Sequence, residues 1–355
     1  MDIQELLRLT VTNKASDLHL MPELPPAIRV DGNLSYLANI PVLSPESIQS
    51  MMDSLMTAEQ RELLRMNKEL DFSVGFGGGL FGDEGRFRVN AYHQKGSLCA
   101  ALRYLPKAIT TIDDLHLPKI CHNFAELKHG LILVVGPTGH GKSTTLAAII
   151  NEINQTKADH ILTIEDPIEY IYPKSKSIIS QREIKTDTNS WGVALRSALR
   201  EDPDVILVGE MRDPETIAAT ITLAETGHLV FSTLHTNSAA QSLDRIIDSF
   251  PSHEQNQIRM QLAFTLRGVI SQRLLPQLGG GRIPAVEVLL GTPAVSNNIR
   301  EGKTHLIDSI IQTSQEMGMI SLESSLAQLV LSGLISLDTA KSYALHLDEF
   351  LHLVK

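Results

Sequence analysis

Cysteine is nearly absent: Cys99 and Cys121 are the only two in 355 residues, and they are not spaced as C-x-x-C. Neither a disulfide framework nor a tetrahedral zinc site can be built from cysteine alone, and both residues read as small apolar core groups. Also missing is any run of about 18 apolar residues without charge, which excludes a membrane-spanning helix. Asp2 and Glu5 stand where a secretory leader would carry basic residues, so the expected address is the cytoplasm. Positive charge is in deficit as well. The chain has 31 Lys and Arg against 41 Asp and Glu, a net charge of −10. That balance works against a sequence-blind nucleic-acid binder, which neutralises phosphates with a basic surface.

What is there is the composition of an ordinary folded protein, 43% hydrophobic and 20% charged, with length for a small and a larger domain. Ile3, Leu6, Leu7 and Val11 recur at helical spacing, and Asp17–Leu20 alternates like a strand. Pro25-Pro26 and Asp31-Gly32 punctuate a strand over Ala27–Val30, and Ser44-Pro45-Glu46 starts helices across 45–68. Six glycines crowd into 75–85. They invite a phosphate-loop reading, but the period-2 pattern of Arg86–Tyr92 follows instead of a helix, so they predict a hairpin tip between strands. Leu98–Leu105 predicts another strand.

From 131 onward the pattern changes to short apolar runs separated by helical stretches, which predicts a mostly parallel sheet covered by helices on both faces. Four runs stand out: Leu131–Val135, His160–Ile164, Val205–Val208 and Leu229–Thr233. Each runs into polar or glycine residues at its carboxyl end. In open α/β sheets ligands bind there, so the four junctions are expected to converge on one site. Beyond about residue 293 the pattern is helical.

The first junction reads Gly136-Pro137-Thr138-Gly139-His140-Gly141-Lys142-Ser143-Thr144, a fit to G-x-x-x-x-G-K-[ST] between a strand and a helix. Glycines let successive backbone N–H groups face phosphates, and the helix adds its positive dipole end. Lys142 is expected to reach the β- and γ-phosphates of ATP and Ser143 to offer a hydroxyl to Mg²⁺. His140 occupies a permissive position and its side chain is given no role.

Hydrolysis also needs a carboxylate that orients water beside the γ-phosphate. Glu210, just past Val205–Gly209, is the expected choice. Glu165 in Glu165-Asp166 is a second candidate, for Mg²⁺ or water, with Asp166 and Glu169 in supporting positions. His228 and His235 bracket the fourth run and are expected to flank the γ-phosphate edge as phosphate or water sensors. Arg86, Arg88 and Arg103 are either solvated strand residues or fingers reaching a nucleotide from another domain or subunit. Arg196 and Arg200 have the same two readings, with the solvated face favoured.

With these pieces laid out, the chain resembles the hexameric ATPases of type II secretion and type IV pili, most closely those that retract pili. The resemblance rests on Gly136–Thr145 as the Walker A segment, Ile161–Tyr170 as the Asp box, Leu195–Asp213 as the Walker B region and Thr226–Asn237 as the His box. It implies a PAS-like α+β domain over 1–106, a linker over 107–118, and a RecA-like ATPase domain over 119–355 with a helical segment from about 293. It further implies a homohexameric ring with ATP at its interfaces, Glu210 as the catalytic glutamate, and Mg²⁺ as cofactor. An inner-membrane pilus platform protein is the implied partner, which would hold the ring at the cytoplasmic side of the membrane. Assembly and secretion members carry a long additional N-terminal domain and a four-cysteine zinc element. Their lack here favours retraction. The family's retraction signature A-I-R-N-L-I-R-E becomes Ala294-Val295-Ser296-Asn297-Asn298-Ile299-Arg300-Glu301, which keeps an accessory retraction ATPase, or an assembly or secretion ATPase, as the alternative.

Other classes fit less well. A GTPase needs N-K-x-D, whereas Asn13-Lys14 is followed by Ala15-Ser16 and Asn67-Lys68 by Glu69-Leu70. A helicase should carry an electropositive channel. A small-molecule kinase would need an acceptor for turnover, and a nucleotide-dependent scaffold would have no need of Glu210.

Overall fold

The computed structural model describes residues 2–30, 32–77, 85–106 and 108–355. They form two compact units: 1–108 with 167–171, and 109–166 with 172–355.

The first unit has a six-stranded antiparallel sheet in the order β3-β2-β1-β6-β5-β4, from β1 (Asp17–Leu20), β2 (Ala27–Val30), β3 (Asn33–Tyr36), β4 (Glu69–Phe76), β5 (Gly85–Gln94) and β6 (Ser97–Pro106). Helices α1 (Ile3–Thr12), α2 (Pro45–Leu55) and α3 (Ala58–Asn67) complete it. Period-2 alternation sorts the sheet faces: Phe87, Val89 and Ala91 join Leu18, Leu20, Ile48 and Met52 in one core, while Arg86, Arg88 and Asn90 point the other way. The helix starts follow their capping residues. Ser44 accepts from the Ser47 N–H with Pro45 in the first turn, and Thr57 with Gln60 makes a capping box. The hairpin tip expected from the glycines falls largely on 78–84, outside the described residues; its flanking strands β4 and β5 pair antiparallel.

The second unit is built on a seven-stranded sheet. Its strands are β7 (Gly130–Val135), β8 (His160–Glu165), β9 (Ile178–Glu183), β10 (Val205–Val208), β11 (Leu229–Leu234), β12 (Leu266–Pro276) and β13 (Arg282–Leu290), in the order β13-β12-β7-β11-β10-β8-β9. All neighbours are parallel except the β12–β13 hairpin. The four expected apolar runs are the four central strands β7, β11, β10 and β8. Central position explains their composition: β7, β10 and β11 are buried along their whole length, so both faces must be apolar. β9 and the hairpin did not stand out in the sequence.

Helices α4 (Ile120–Glu126), α5 (Lys142–Thr156), α6 (Trp191–Ala198), α7 (Pro214–Glu225), α8 (Ala239–Asp248) and α9 (Ser252–Thr265) accompany the strands. The C-terminal part is helical, as expected: α10 (Pro293–Arg300), α11 (Ile307–Thr313), α12 (Leu322–Leu331), α13 (Leu337–Tyr343) and α14 (Leu347–Leu353). The stretch expected to be a linker over 107–118 divides differently, since 109–118 go with the second unit and Ile112 and Leu117 are buried. No helix among the described residues is long and apolar enough to cross a membrane.

Candidate active site

Strand register builds the site. Leu234 pairs with Val135, so the residues that follow, His235 and Gly136, emerge side by side from β11 and β7. Val208 pairs with Ser232 on one side and Ile164 on the other, which brings Glu210 and Glu165 to the same sheet edge. The chain returns to β8 and β9 on the far side before filling β10 and β11, so this edge lies at the carboxyl ends of strands on either side of a reversal in strand order.

The phosphate loop leaves β7 and enters α5 at Lys142, with Gly141 as N-cap at φ 81°. Gly136 has φ 147°, and a Cβ there would lie 2.5 Å from the Gln272 carbonyl, so both conformation and space require glycine. The fifteen-residue α5 directs its N-terminal N–H groups at the loop. Lys142 is only 8% exposed, and its ammonium donates to the carbonyls of Gly136 (2.8 Å) and Pro137 (3.0 Å). The flexible lysine stem is thus already folded over the loop it serves. Ser143 and Thr144 follow in the first turn of α5.

His235 ties the loop to the catalytic carboxylate candidate. Its Nδ1 lies 3.4 Å from Lys142 Nζ and 3.3 Å from Thr138 Oγ1. An ammonium can only donate, so Nδ1 accepts and the ring proton belongs on Nε2. That nitrogen is 3.4 Å from Glu210 Oε2. The other Glu210 oxygen is paired with Arg212, and the Glu210 side chain is 15% exposed. Thr233 Oγ1 donates to the Gly209 carbonyl at 2.7 Å, fixing the backbone from which Glu210 projects. The result is a continuous polar line from Arg212 through Glu210 and His235 to Lys142.

Glu165 sits one strand further out and is engaged on that side: its Oε1 accepts from Thr163 Oγ1 (2.7 Å) and Gln181 Nε2 (3.4 Å). The two carboxylates share an edge but face different neighbours. His228 corrects the expectation of paired histidines. It precedes β11, so it lies at the amino end of the strand whose carboxyl end carries His235, about 20 Å away along six residues. There its Nδ1 lies 2.9 Å from the Leu223 carbonyl and 3.1 Å from Thr226 Oγ1. The sequence places the two residues seven apart, and strand direction separates them.

In the first unit, Arg88 and Arg103 are register partners on β5 and β6, and Arg103 Nε donates to Asp17 Oδ1 at 2.9 Å. Arg196 pairs with Glu215 at 3.0 Å, and both side chains are well exposed.

His140 and three residues of β12 were missed as partners of the loop. Gln272, 3% exposed, contacts both the His140 carbonyl and Thr145. His140 Nδ1 accepts from the Leu274 N–H at 3.0 Å, and burial, then Arg273, Lys142 and Arg282, lower its pKa. The imidazole is therefore a neutral acceptor that anchors the loop through its side chain. The available signal was Ser271-Gln272-Arg273 interrupting the apolar residues Val269-Ile270 and Leu274-Leu275 ahead of Gly279-Gly280-Gly281.

Comparison with known proteins accords with this geometry. The family model described as type II/IV secretion system protein matches residues 2–331. The chain is 47% identical to the type IV pilus retraction ATPase of Pseudomonas aeruginosa over 97% of this chain and 98% of that one. It is 46% identical to a twitching motility protein of Neisseria gonorrhoeae over 96% of this chain and 90% of that protein. A crystal structure of a pilus retraction motor with bound ADP superposes with a TM-score of 0.90, at 47% identity and 98% coverage of both chains. The sequence match and the shared fold, over nearly the full length of both partners, make this chain a member of the type II/IV secretion system family and one of its ATPases.

Proposed function

We propose that this chain forms a homohexameric ring that hydrolyses ATP to retract type IV pili. The observation that carries the chemistry is the line Glu210–His235–Lys142 beside the phosphate loop. The likeness to the retraction ATPase supports the direction of work. Lys142 and the loop N–H groups bind the phosphates. Glu210 accepts a proton from the attacking water, with Arg212 and His235 holding its two oxygens in place. His235 stands between Glu210 and Lys142 and so senses whether the loop is filled. Ser143 in the first turn of α5 and Glu165 at the same sheet edge are hard oxygen donors of the kind Mg²⁺ takes, so these residues fit the ion. Held there, Mg²⁺ would neutralise phosphate charge as it develops during hydrolysis. Arg88 and Arg103 are proposed as fingers from a neighbouring subunit, and a membrane platform protein of the pilus as the partner at the cytoplasmic face.

A second reading, an accessory retraction ATPase, is favoured by Ala294–Glu301. Of the positions that depart from the signature, Val295 is buried and still apolar, whereas Ser296 and Asn298 lie partly exposed on α10. The difference is one of surface, where partners are read.

Deleting the gene tests the direction of work. A retraction motor draws subunits back into the membrane, so its loss leaves surface pili in normal or greater number and abolishes twitching. Residual twitching would favour the accessory role. A bald strain, restored to piliation by the intact gene, would overturn retraction and leave the ATPase standing.

A further inference from the structure

We propose that Gln272 is a positioning residue for the phosphate loop, with β12 acting as the strut that sets the loop against the His235 segment. The assignment rests on the phosphate-loop reading and deepens it.

Ser271 pairs with Val135 in the parallel β12–β7 register, so Gln272 arrives where the chain leaves β7 at Gly136. Its carboxamide Oε1 accepts from Thr145 Oγ1 at 2.7 Å and its Nε2 donates to the His140 carbonyl at 2.8 Å. The two partners bracket Gly141, Lys142, Ser143 and Thr144, the stretch that must present N–H groups, ammonium and hydroxyl inward. One rigid amide therefore joins the crest of the loop to the first turn of α5. The next residues complete the strut. Arg273 donates to the Asn237 carbonyl at 2.7 Å, two residues beyond His235, and the Leu274 N–H donates to His140 Nδ1 at 3.0 Å. The tripeptide thereby holds the loop on one side and the His235 segment on the other, across the gap where Lys142 and His235 approach to 3.4 Å.

The side-chain chemistry is specific. A carboxamide offers a donor and an acceptor at one reach. An ionised glutamate would accept from Thr145 but set a carboxylate oxygen against the His140 carbonyl. A leucine would take this partner from the buried Thr145 hydroxyl and from the half-buried His140 carbonyl. Asparagine is one methylene short.

The test is titration of the full-length protein with a fluorescent ADP analogue in Mg²⁺, with ATPase kinetics and thermal melting in parallel. Thr145→Val is expected to weaken ADP binding and raise KM about tenfold, the worth of one buried hydrogen bond, and Gln272→Leu, which breaks two, by at least as much. Thr145→Ser, which keeps the hydroxyl, should bind like the wild type, and the double variant should lose little more than Gln272→Leu alone, because that substitution already breaks the contact Thr145→Val removes. Gln272→Glu should fail to restore affinity. A merely structural glutamine would lower the melting temperature but leave the affinity and KM of the folded protein unchanged, and that result overturns the assignment. Should Gln272→Leu not fold, Thr145→Val alone decides in the same way. Lys142→Ala separates the two levels. If it abolishes binding while Gln272→Leu and Thr145→Val bind normally, only the role of Gln272 falls; if it binds normally, the phosphate-loop reading falls with it.

Discussion

Glu210 and Glu165 are both carboxylates at the ends of adjacent strands, and what separates them is what each one faces. Glu210 has one oxygen against Arg212 and the other toward His235, whose opposite nitrogen lies beside Lys142. Glu165 is turned toward Thr163 and Gln181. Glutamine at 210 keeps the shape and can hold a water but is a far weaker proton acceptor, so Glu210→Gln should keep ADP affinity and lose turnover by about a hundredfold or more. Glu165→Gln should retain most of the turnover. Measuring both variants at saturating ATP decides between the carboxylates, and the reverse pattern would transfer the base role to Glu165. Residues of this site were legible where an apolar strand ends in a glycine or a polar residue, as at Gly136, Glu210 and His235. His228 looked equivalent to His235 only because the two flank one strand in the sequence, and a strand carries its two ends to opposite edges of a sheet.

At the scale of elements, the four central strands were legible because burial on both faces demands unbroken apolar runs. The β12–β13 hairpin was harder to read. Its strands mix buried apolar residues with Gln272, Arg273 and Glu287, each buried and each answering a partner distant in sequence. Glu287 shows what such a residue does to stability. It accepts from the Ala239 N–H at 2.7 Å in the first turn of α8, the helix that follows the His235 segment. Burial pushes its pKa up to about 7, with Asp308 and Glu323 adding in the same direction and the Ala239 N–H and Arg273 opposing. His346, on the same small cavity, also faces this cluster. In the unfolded chain the group titrates at its ordinary 4.5. Between the two values the folded state binds more protons, so this carboxyl removes stability as pH rises from 4.5 to about 7, and the loss persists above. Glu287→Gln keeps an acceptor for Ala239 and deletes the titration. Its melting temperature should exceed that of the wild type by roughly a few degrees at alkaline pH, with the gap closing near pH 5. Melting curves that stay parallel across this range would count against the buried carboxyl as the cause.

At the scale of the whole molecule, a proposed ring makes each ATP site answerable to more than one subunit. Arg88 and Arg103 lie on adjacent strands in register, on the sheet face opposite the core of the first unit, and Arg103 is steadied by Asp17. An exposed arginine held by one carboxylate keeps a second hydrogen-bonding edge for a phosphate oxygen, the arrangement a finger needs. The sequence carried the arginines but not their address, because spacing along a chain does not say whether a residue serves its own site or that of a neighbouring subunit. Subunit mixing supplies that address. A ring of Arg88→Ala or Arg103→Ala subunits should bind ATP and turn it over slowly, and a ring of Lys142→Ala subunits should not bind it. In random mixed rings made at equal ratio, an interface works when an arginine-deficient subunit gives its intact loop and a Lys142→Ala neighbour gives its intact arginine. Half the subunits qualify on each side, so roughly a quarter of the interfaces should be complete in a closed cyclic assembly. Turnover of the mixture should therefore rise clearly above that of either parent, in proportion to the hybrid interfaces as the mixing ratio is varied. If both variants assemble and exchange subunits yet the mixture is no more active than its parents, the arginine acts within its own chain or not at all, and the finger in trans is lost while Glu210, His235 and the phosphate loop keep their roles.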